Sequence, residues 1–314
     1  MLKIITIFIF TVNLFAVEDL VPSKIFTASG TVQSIVVTEN KLYAGTDNGT
    51  VEIFNTDTNE KIDTIKIPDI KDFMGDSMPA KIYSIDLLGD KILIASQGMQ
   101  GFRNIFLYED DKLKKIIGIE KGYYIQKAAF ISDKKIVFGL LSNQIGVFDF
   151  SKNKLDYLIQ ISPSSFSHFM IDEDKKTIAT TDESGIVRIL DLSSGQIVKQ
   201  PKALNLDRVY QLDYKNNIIL TAGQDRKAVV YKEFSKYSLD FDFLLYSCGL
   251  SPKAELGAVA YNEKNEVLVF DVNSQKKLYN LQGQKATLTQ ILFKNKQEVF
   301  ISCDDPNITY FKLH

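Results

Sequence analysis

The chain has 314 residues, 45% of them hydrophobic and 24% charged, which describes a folded body rather than a disordered one. Its formal net charge of -2 disfavours a general nucleic-acid binder. Two cysteines, Cys248 and Cys303, are too few for a disulfide scaffold and are expected to be free thiols.

The first sixteen residues, "MLKIITIFIFTVNLFA", differ in character from the rest of the chain. Lys3 supplies a short positive start, Ile4 to Phe15 is largely apolar, and Ala16 sits before a polar chain. The run is shorter than the roughly 20 residues that span a bilayer, so it reads as a secretory signal peptide ahead of one domain over 17–314. No later stretch has the length and hydropathy of a membrane span.

Next comes "KIFTA", Lys24 to Ala28, a short strand with no hairpin of its own. From "LYAGTDNGTVEIFN", residues 42–55, a pattern begins. Leu42 to Thr46 and Thr50 to Phe54 are rich in strand formers, and Asp47-Asn48-Gly49 supplies a turn in which glycine tolerates positive φ. Related strand–turn–strand units start at Ile92, Ile136, Thr177, Ile218, Leu256 and Glu298. A large apolar residue recurs near the end of each third strand, at Phe54, Tyr108, Phe148, Leu190, Tyr231, Phe270 and Phe311. Successive gaps are 54, 40, 42, 41, 39 and 41 residues, a period that marks propeller blades.

Each unit fills out to four strands. Inner strands such as "VQSIVV", "IYSIDLL", "FSHFMI", "VYQLDY" and "LTQILF" precede the hairpins, and outer segments such as "EKIDTIKI" come after them. Pro68, Pro79, Pro163, Pro201, Pro252 and Pro306 all fit connections, where a missing ladder N–H costs little. The seventh unit ends with the chain at His314 and lacks an outer strand. The expectation is an all-β, seven-bladed β-propeller in which Lys24–Ala28 pairs beside Ile308–Leu313 and closes the ring, removing exposed sheet edges.

The hairpins "AGTDNGTVEIFN", "ATTDESGIVRILD" and "TAGQDRKAVVYK" resemble degenerate WD-type repeats. Leu190-Asp191, Phe148-Asp149 and Phe270-Asp271 occupy the approximate place of the missing Trp-Asp pair. Asp47, Asp182, Asp225 and Asp304 match the turn aspartate of that family, but the histidine that would partner them is absent. The signal-like segment, the seven blades and the Lys- and Ile-rich composition are also similar to the L-type accessory proteins encoded with periplasmic nitrate reductase in epsilon-class proteobacteria. That resemblance implies a periplasmic, non-enzymatic chain that supports assembly of the reductase or its electron supply through reductase subunits or redox donors; by itself the chain is expected to be a monomer.

Chemistry-bearing motifs are sparse. Only two histidines occur, His168 and His314, with no close cysteine pair, so metal ligation lacks donors and no metal or other cofactor is expected. No C-x-x-C-H haem attachment sequence is present. "GTDNGT" lies between antiparallel strands with no helix after it, unlike a phosphate loop. "SPSSFSH" places serines near His168 without the orienting third group of a triad. His168 itself falls at the third position of an inner strand, where sister blades carry Ser34, Ser84, Lys127, Gln211 and Gln290. That register marks a generic polar position. An exported lactonase-like hydrolase, a quinone-cofactor dehydrogenase or a general envelope-assembly scaffold remain the alternatives.

The long first gap is the best functional clue. Two insertions account for it, "PDIKDFMGDSMPAK" at 68–81 and "QGMQGFRN" at 97–104. A blade-to-blade link and a second-to-third-strand turn emerge on the same propeller face, so the two should be neighbours. Phe73, Met74, Met78, Met99 and Phe102 would offer apolar contact, and Asp72 and Arg103 a charged rim. Tyr123 and Tyr124 would extend the patch at the next link. The same groups could instead fold inward and plug the channel mouth. Arg208 and Lys81 stand before inner strands as ordinary rim charges.

Overall fold

The computed structural model describes residues 17–314. The proposed signal segment lies outside the described residues. Seven antiparallel sheets succeed one another around an axis, one per repeat. Blade 1 runs Val32–Val37, Lys41–Thr46, Thr50–Asn55 and Lys61–Lys66, from the axis outward. Blade 2 is Ile82–Leu88, Lys91–Gln97, Arg103–Glu109 and Lys112–Ile117, and blade 3 is Ile125–Phe130, Lys135–Leu140, Gln144–Asp149 and Lys154–Gln160. Blade 4 comprises Phe166–Ile171, Thr177–Asp182, Arg188–Asp191 and Ile197–Lys199, and blade 5 Val209–Lys215, Ile218–Gly223, Lys227–Tyr231 and Lys236–Asp240. Blade 6 holds Cys248–Leu250, Leu256–Ala260, Val267–Asp271 and Lys277–Leu281, and blade 7 Leu288–Phe293, Glu298–Cys303 and Asn307–Lys312.

The outer strand of blade 7 is Lys24–Thr27, antiparallel to Asn307–Lys312 with Phe26 opposite Ile308. The ring therefore closes with the expected N-terminal strand. Phe26 is 1% exposed and meets Phe54 of blade 1 and Phe300 of blade 7 at centroid distances of 5.8 and 6.0 Å. Polar contacts fix the same strand to blade 1. Lys24 Nζ donates to the Thr56 carbonyl at 2.7 Å, and Ser29 N donates to buried Glu52 at 3.0 Å.

The apolar core is a set of seven clusters, each between two adjacent blades, so every blade buries both faces. This explains why third strands such as Thr50–Asn55 are buried along nearly their whole length rather than at alternate residues. The recurrent Phe54, Phe148, Leu190 and Phe270 all belong to these inter-blade clusters. Gly49 takes φ +78 in the blade 1 turn, where the backbone of Ala80 in the link to blade 2 leaves no comfortable room for a Cβ.

Two features lie beyond the repeat pattern. Glu18–Leu20 adds a fifth strand to blade 6, parallel to Lys277–Leu281. The 68–81 insertion is not a plain link but forms a small hairpin, with Ile70 opposite Met78 and Lys71 opposite Ser77. Pro68, Pro79, Pro163, Pro201, Pro252 and Pro306 all fall outside strands. Both cysteines are free and buried, as the sequence implies. Among the described residues no helix is long and apolar enough to cross a membrane.

Candidate functional site

The insertions meet. Ile70, Asp72, Phe73 and Met78 on one side and Gln97, Met99 and Gly101 on the other line a groove of about 550 Å3. The hairpin holds its tip through Asp72, whose Oδ1 accepts from the backbone N–H groups of Met74 and Asp76, each at 2.9 Å. That tip pushes Phe73 and Met74 into solvent, 96% and 72% exposed. Met99 and Tyr124 are exposed beside them, and the Tyr124 ring packs at a tilt against half-buried Phe102, with centroids 4.9 Å apart.

The remaining sequence-selected residues do other things. Arg103 does not form a free rim charge: its guanidinium lies 4.1 Å from the Tyr83 ring centre and its Nη1 donates to the Gly101 carbonyl. Tyr123 turns inward and stacks on Phe138 at 5.5 Å. Met78 is half-buried on the groove wall and Asp72 builds the turn. Phe73, Met74, Met99 and Tyr124 thus form one exposed ridge, with half-buried Phe102, Arg103 and Tyr123 as its foundation. Phe73 and Met74 point outward and do not plug the channel.

The turn aspartates find substitutes for the missing histidine. In blade 4, Asp182 accepts from Arg188 at 2.7 Å, Asn143 at 2.9 Å and Ser162 at 2.7 Å, with Arg188 and Asp182 both buried. Burial alone would raise this carboxyl, but the bonds from Ser184 and Ser162 and the Arg188 charge bring it below its usual range. In blade 5, Asn205 and the Leu206 N–H donate to Asp225 at 3.0 and 2.8 Å. In blade 1, Asp47 accepts from the Thr31 N–H at 2.9 Å.

The second region is the axial channel, a cavity of about 630 Å3 lined by the inner strands. Near its start each inner strand of blades 1, 3, 4, 5 and 7 carries a register shift between its first and third residues. Such a bulge re-aims the next side chain. In five blades the third residue accepts a hydrogen bond from the backbone N–H of the next blade's inner strand. Ser34 accepts from Ile85 at 3.3 Å, Ser84 from Ala128 at 3.1 Å and His168 from Leu212 at 3.5 Å. Gln211 accepts from Cys248 and Gln290 from Ile35, both at 3.0 Å. Deeper in the channel Asp86 and Asp213 do the same for Phe130 and Leu250, at 2.7 and 2.8 Å.

Lys127 breaks this series. A protonated ammonium has no lone pair to accept with. Its Nζ instead lies 2.8 Å from His168 Nε2 and 3.2 Å from Met170 Sδ. Burial brings the Lys127 ammonium down to about 8, against the upward pull of Asp213 and Asp86. Burial and the Lys127 charge push His168 well below its ordinary value. Ionisable groups therefore converge at the channel. The signal lay in the repeat alignment, where Lys127 is the one member of the column Ser34, Ser84, Lys127, His168, Gln211 and Gln290 whose ordinary form at neutral pH has no acceptor. Among the described residues no group of three or more His, Cys, Asp or Glu side chains could hold a metal ion.

No family model matches the chain, and no curated protein matches it. Among solved structures it is similar to the β-propeller domain of Cps50 (Swd1) from Myceliophteria thermophila, with a TM-score of 0.75 and 14% sequence identity. The likeness covers 93% of this chain and 99% of that domain. At that identity the likeness is one of fold.

Proposed function

We propose that the chain is a non-catalytic docking module that receives a protein partner on the ridge formed by the 68–81 and 97–104 insertions. The exposed tip carries the reading: Phe73, 96% exposed, stands beside Met74 and next to a groove walled by Met78 and Met99. Solvating an aromatic and a methionine at a hairpin tip is unfavourable, and burying the Phe73 side chain alone would gain about 1.5–3 kcal/mol. Adaptable methionines around one aromatic anchor suit a contact made across an uneven surface.

The resemblance to the L-type accessory proteins extends this reading to the periplasm and to periplasmic nitrate reductase, whose assembly or electron supply the module would support. The degenerate WD-type character of the hairpins belongs to the same proposal. Affinity capture from nitrate-grown cells should recover reductase subunits with the wild-type chain and lose them with Phe73→Ala, Met74→Ala. Recovery of envelope-assembly proteins without reductase subunits would instead support the general scaffold, and retention of the partner by the double variant would reject the ridge.

A further inference from the structure

The channel site goes beyond docking and uses neither the ridge nor its partner. Lys127 and His168 both line the axial cavity, on the neighbouring inner strands of blades 3 and 4. The proton count along their contact is informative. The Leu212 nitrogen lies 3.5 Å from His168 Nδ1, a long hydrogen bond; in the tautomer in which Nδ1 accepts it, the imidazole proton sits on Nε2. Nε2–H then faces Lys127 Nζ at 2.8 Å, and the bond forms only if Nζ accepts, as a neutral amine. Lys127 makes no ion pair among the described residues; Asp86 and Asp213 act on it only at longer range.

We propose that this channel binds a small aldehyde or ketone, held as an imine on Lys127 with His168 beside it. The Nζ lone pair attacks the carbonyl carbon, and the carbonyl π pair moves to oxygen. The two amine protons and that oxygen then leave as one water while nitrogen forms the C=N bond, so no oxidant, reductant or metal is required. Burial lowers the Lys127 ammonium so that a fraction of the amine is neutral and nucleophilic near neutral pH, and His168 Nε2, 2.8 Å away, can donate to that fraction. A lysine desolvated in this way is the established route to an amine nucleophile at neutral pH. The charged or titratable groups facing it are Asp86 from blade 2, His168 and Lys175 from blade 4, and Asp213 and Lys215 from blade 5.

The test is competitive labelling of the full chain with glyceraldehyde and cyanoborohydride, which traps an imine as a stable amine, with peptide mapping of the product. With a value of about 8, roughly one Lys127 in ten is neutral at pH 7, against about one in 3,000 for an ordinary surface lysine. Lower basicity weakens the nucleophile, so the expected advantage of Lys127 over the median lysine is at least about tenfold at pH 7. The rate should reach half its maximum near pH 8. Asp213→Asn should move that midpoint downward, because the carboxylate stabilises the ammonium. Lys127→Gln should abolish the fast site; glutamine already fills this position in blades 5 and 7, at Gln211 and Gln290, so the ring has a compatible acceptor. Labelling of Lys127 no faster than the median, or a midpoint near that of surface lysines, overturns the proposal from the wild-type map alone.

Discussion

The ridge hairpin at 68–81 and the inner strand at 125–130 treat polar and apolar groups in opposite ways. The hairpin spends its backbone bonds on itself, through Asp72 and the Ile70–Met78 pairing, and leaves Phe73 and Met74 in water. The inner strand is fixed on both sides by its neighbours: Ala128 and Phe130 donate to Ser84 and Asp86 of blade 2, and Lys127 reaches across to His168 of blade 4. Phe73 or Met74 at the hairpin tip can therefore be changed without consequence for the ring, whereas a side chain in the channel is tied to two adjacent blades. Exposure without local need points to a partner. A buried ionisable group that departs from its repeat points to chemistry.

That contrast can be broken most severely at the closure. Deleting residues 20–29 removes Phe26, Lys24 and Ser29 together, and the chain is expected to lose its cooperative thermal transition. Phe26→Ala by itself should cost about 3–5 kcal/mol, a large share of the roughly 5–15 kcal/mol typical of a folded domain. An unchanged melting midpoint in the deletion would mean that the ring does not depend on its first strand.

Next in size is the buried pair of blade 4. Arg188→Ala leaves Asp182 in a site where Arg188 is 9% and Asp182 0% exposed, and should cost about 3–5 kcal/mol in urea denaturation. A loss below about 1 kcal/mol would place the pair among exposed bridges rather than buried ones.

The channel lysine should act in the other direction. Its folded value, about 8, lies below the ordinary lysine value, so the unfolded chain binds more protons between these two values. The penalty is full below about pH 8 and is relieved as pH rises toward the unfolded value; at pH 7 it is on the order of 3 kcal/mol. Lys127→Met should therefore raise stability at pH 7, and its advantage over wild type should shrink steadily between pH 8 and pH 10.5. A pH-independent difference would assign the effect to packing instead.

The smallest effect belongs to the ridge. Phe73→Ala should change the melting free energy by no more than about 0.5 kcal/mol while weakening partner capture. Arg103→Ala should do more damage to stability than Phe73→Ala, since it strips the stack on Tyr83. Equal effects would erase the distinction between exposed tip and foundation.

Much of this architecture was legible because a propeller writes itself into the chain seven times. The spacing from Phe54 to Phe311, the glycine of the 47–49 turn and the missing outer partner of Asn307–Lys312 led to the ring and its closure. The fifth strand Glu18–Leu20 was not legible, since three residues pairing along an outer edge carry no periodicity. Neither was the short inner strand Cys248–Leu250, nor the hairpin inside the 68–81 insertion. For the ridge, sequence located the insertions and their apolar residues but could not say that Arg103 would lie on Tyr83 or that Tyr123 would turn toward Phe138. For the channel it placed Lys127 and His168 in one column without revealing that they touch.

The sequence by itself determined the number of blades, the order of their strands and the place where the repeat is interrupted, because hydrophobic spacing and turn chemistry are local properties of the chain. Which side chains meet across blades was decided by the closed ring alone. Packing of blade 3 against blade 4 brings Lys127 Nζ to 2.8 Å from His168 Nε2, and there the lysine's charge adds to burial in holding His168 well below its ordinary value.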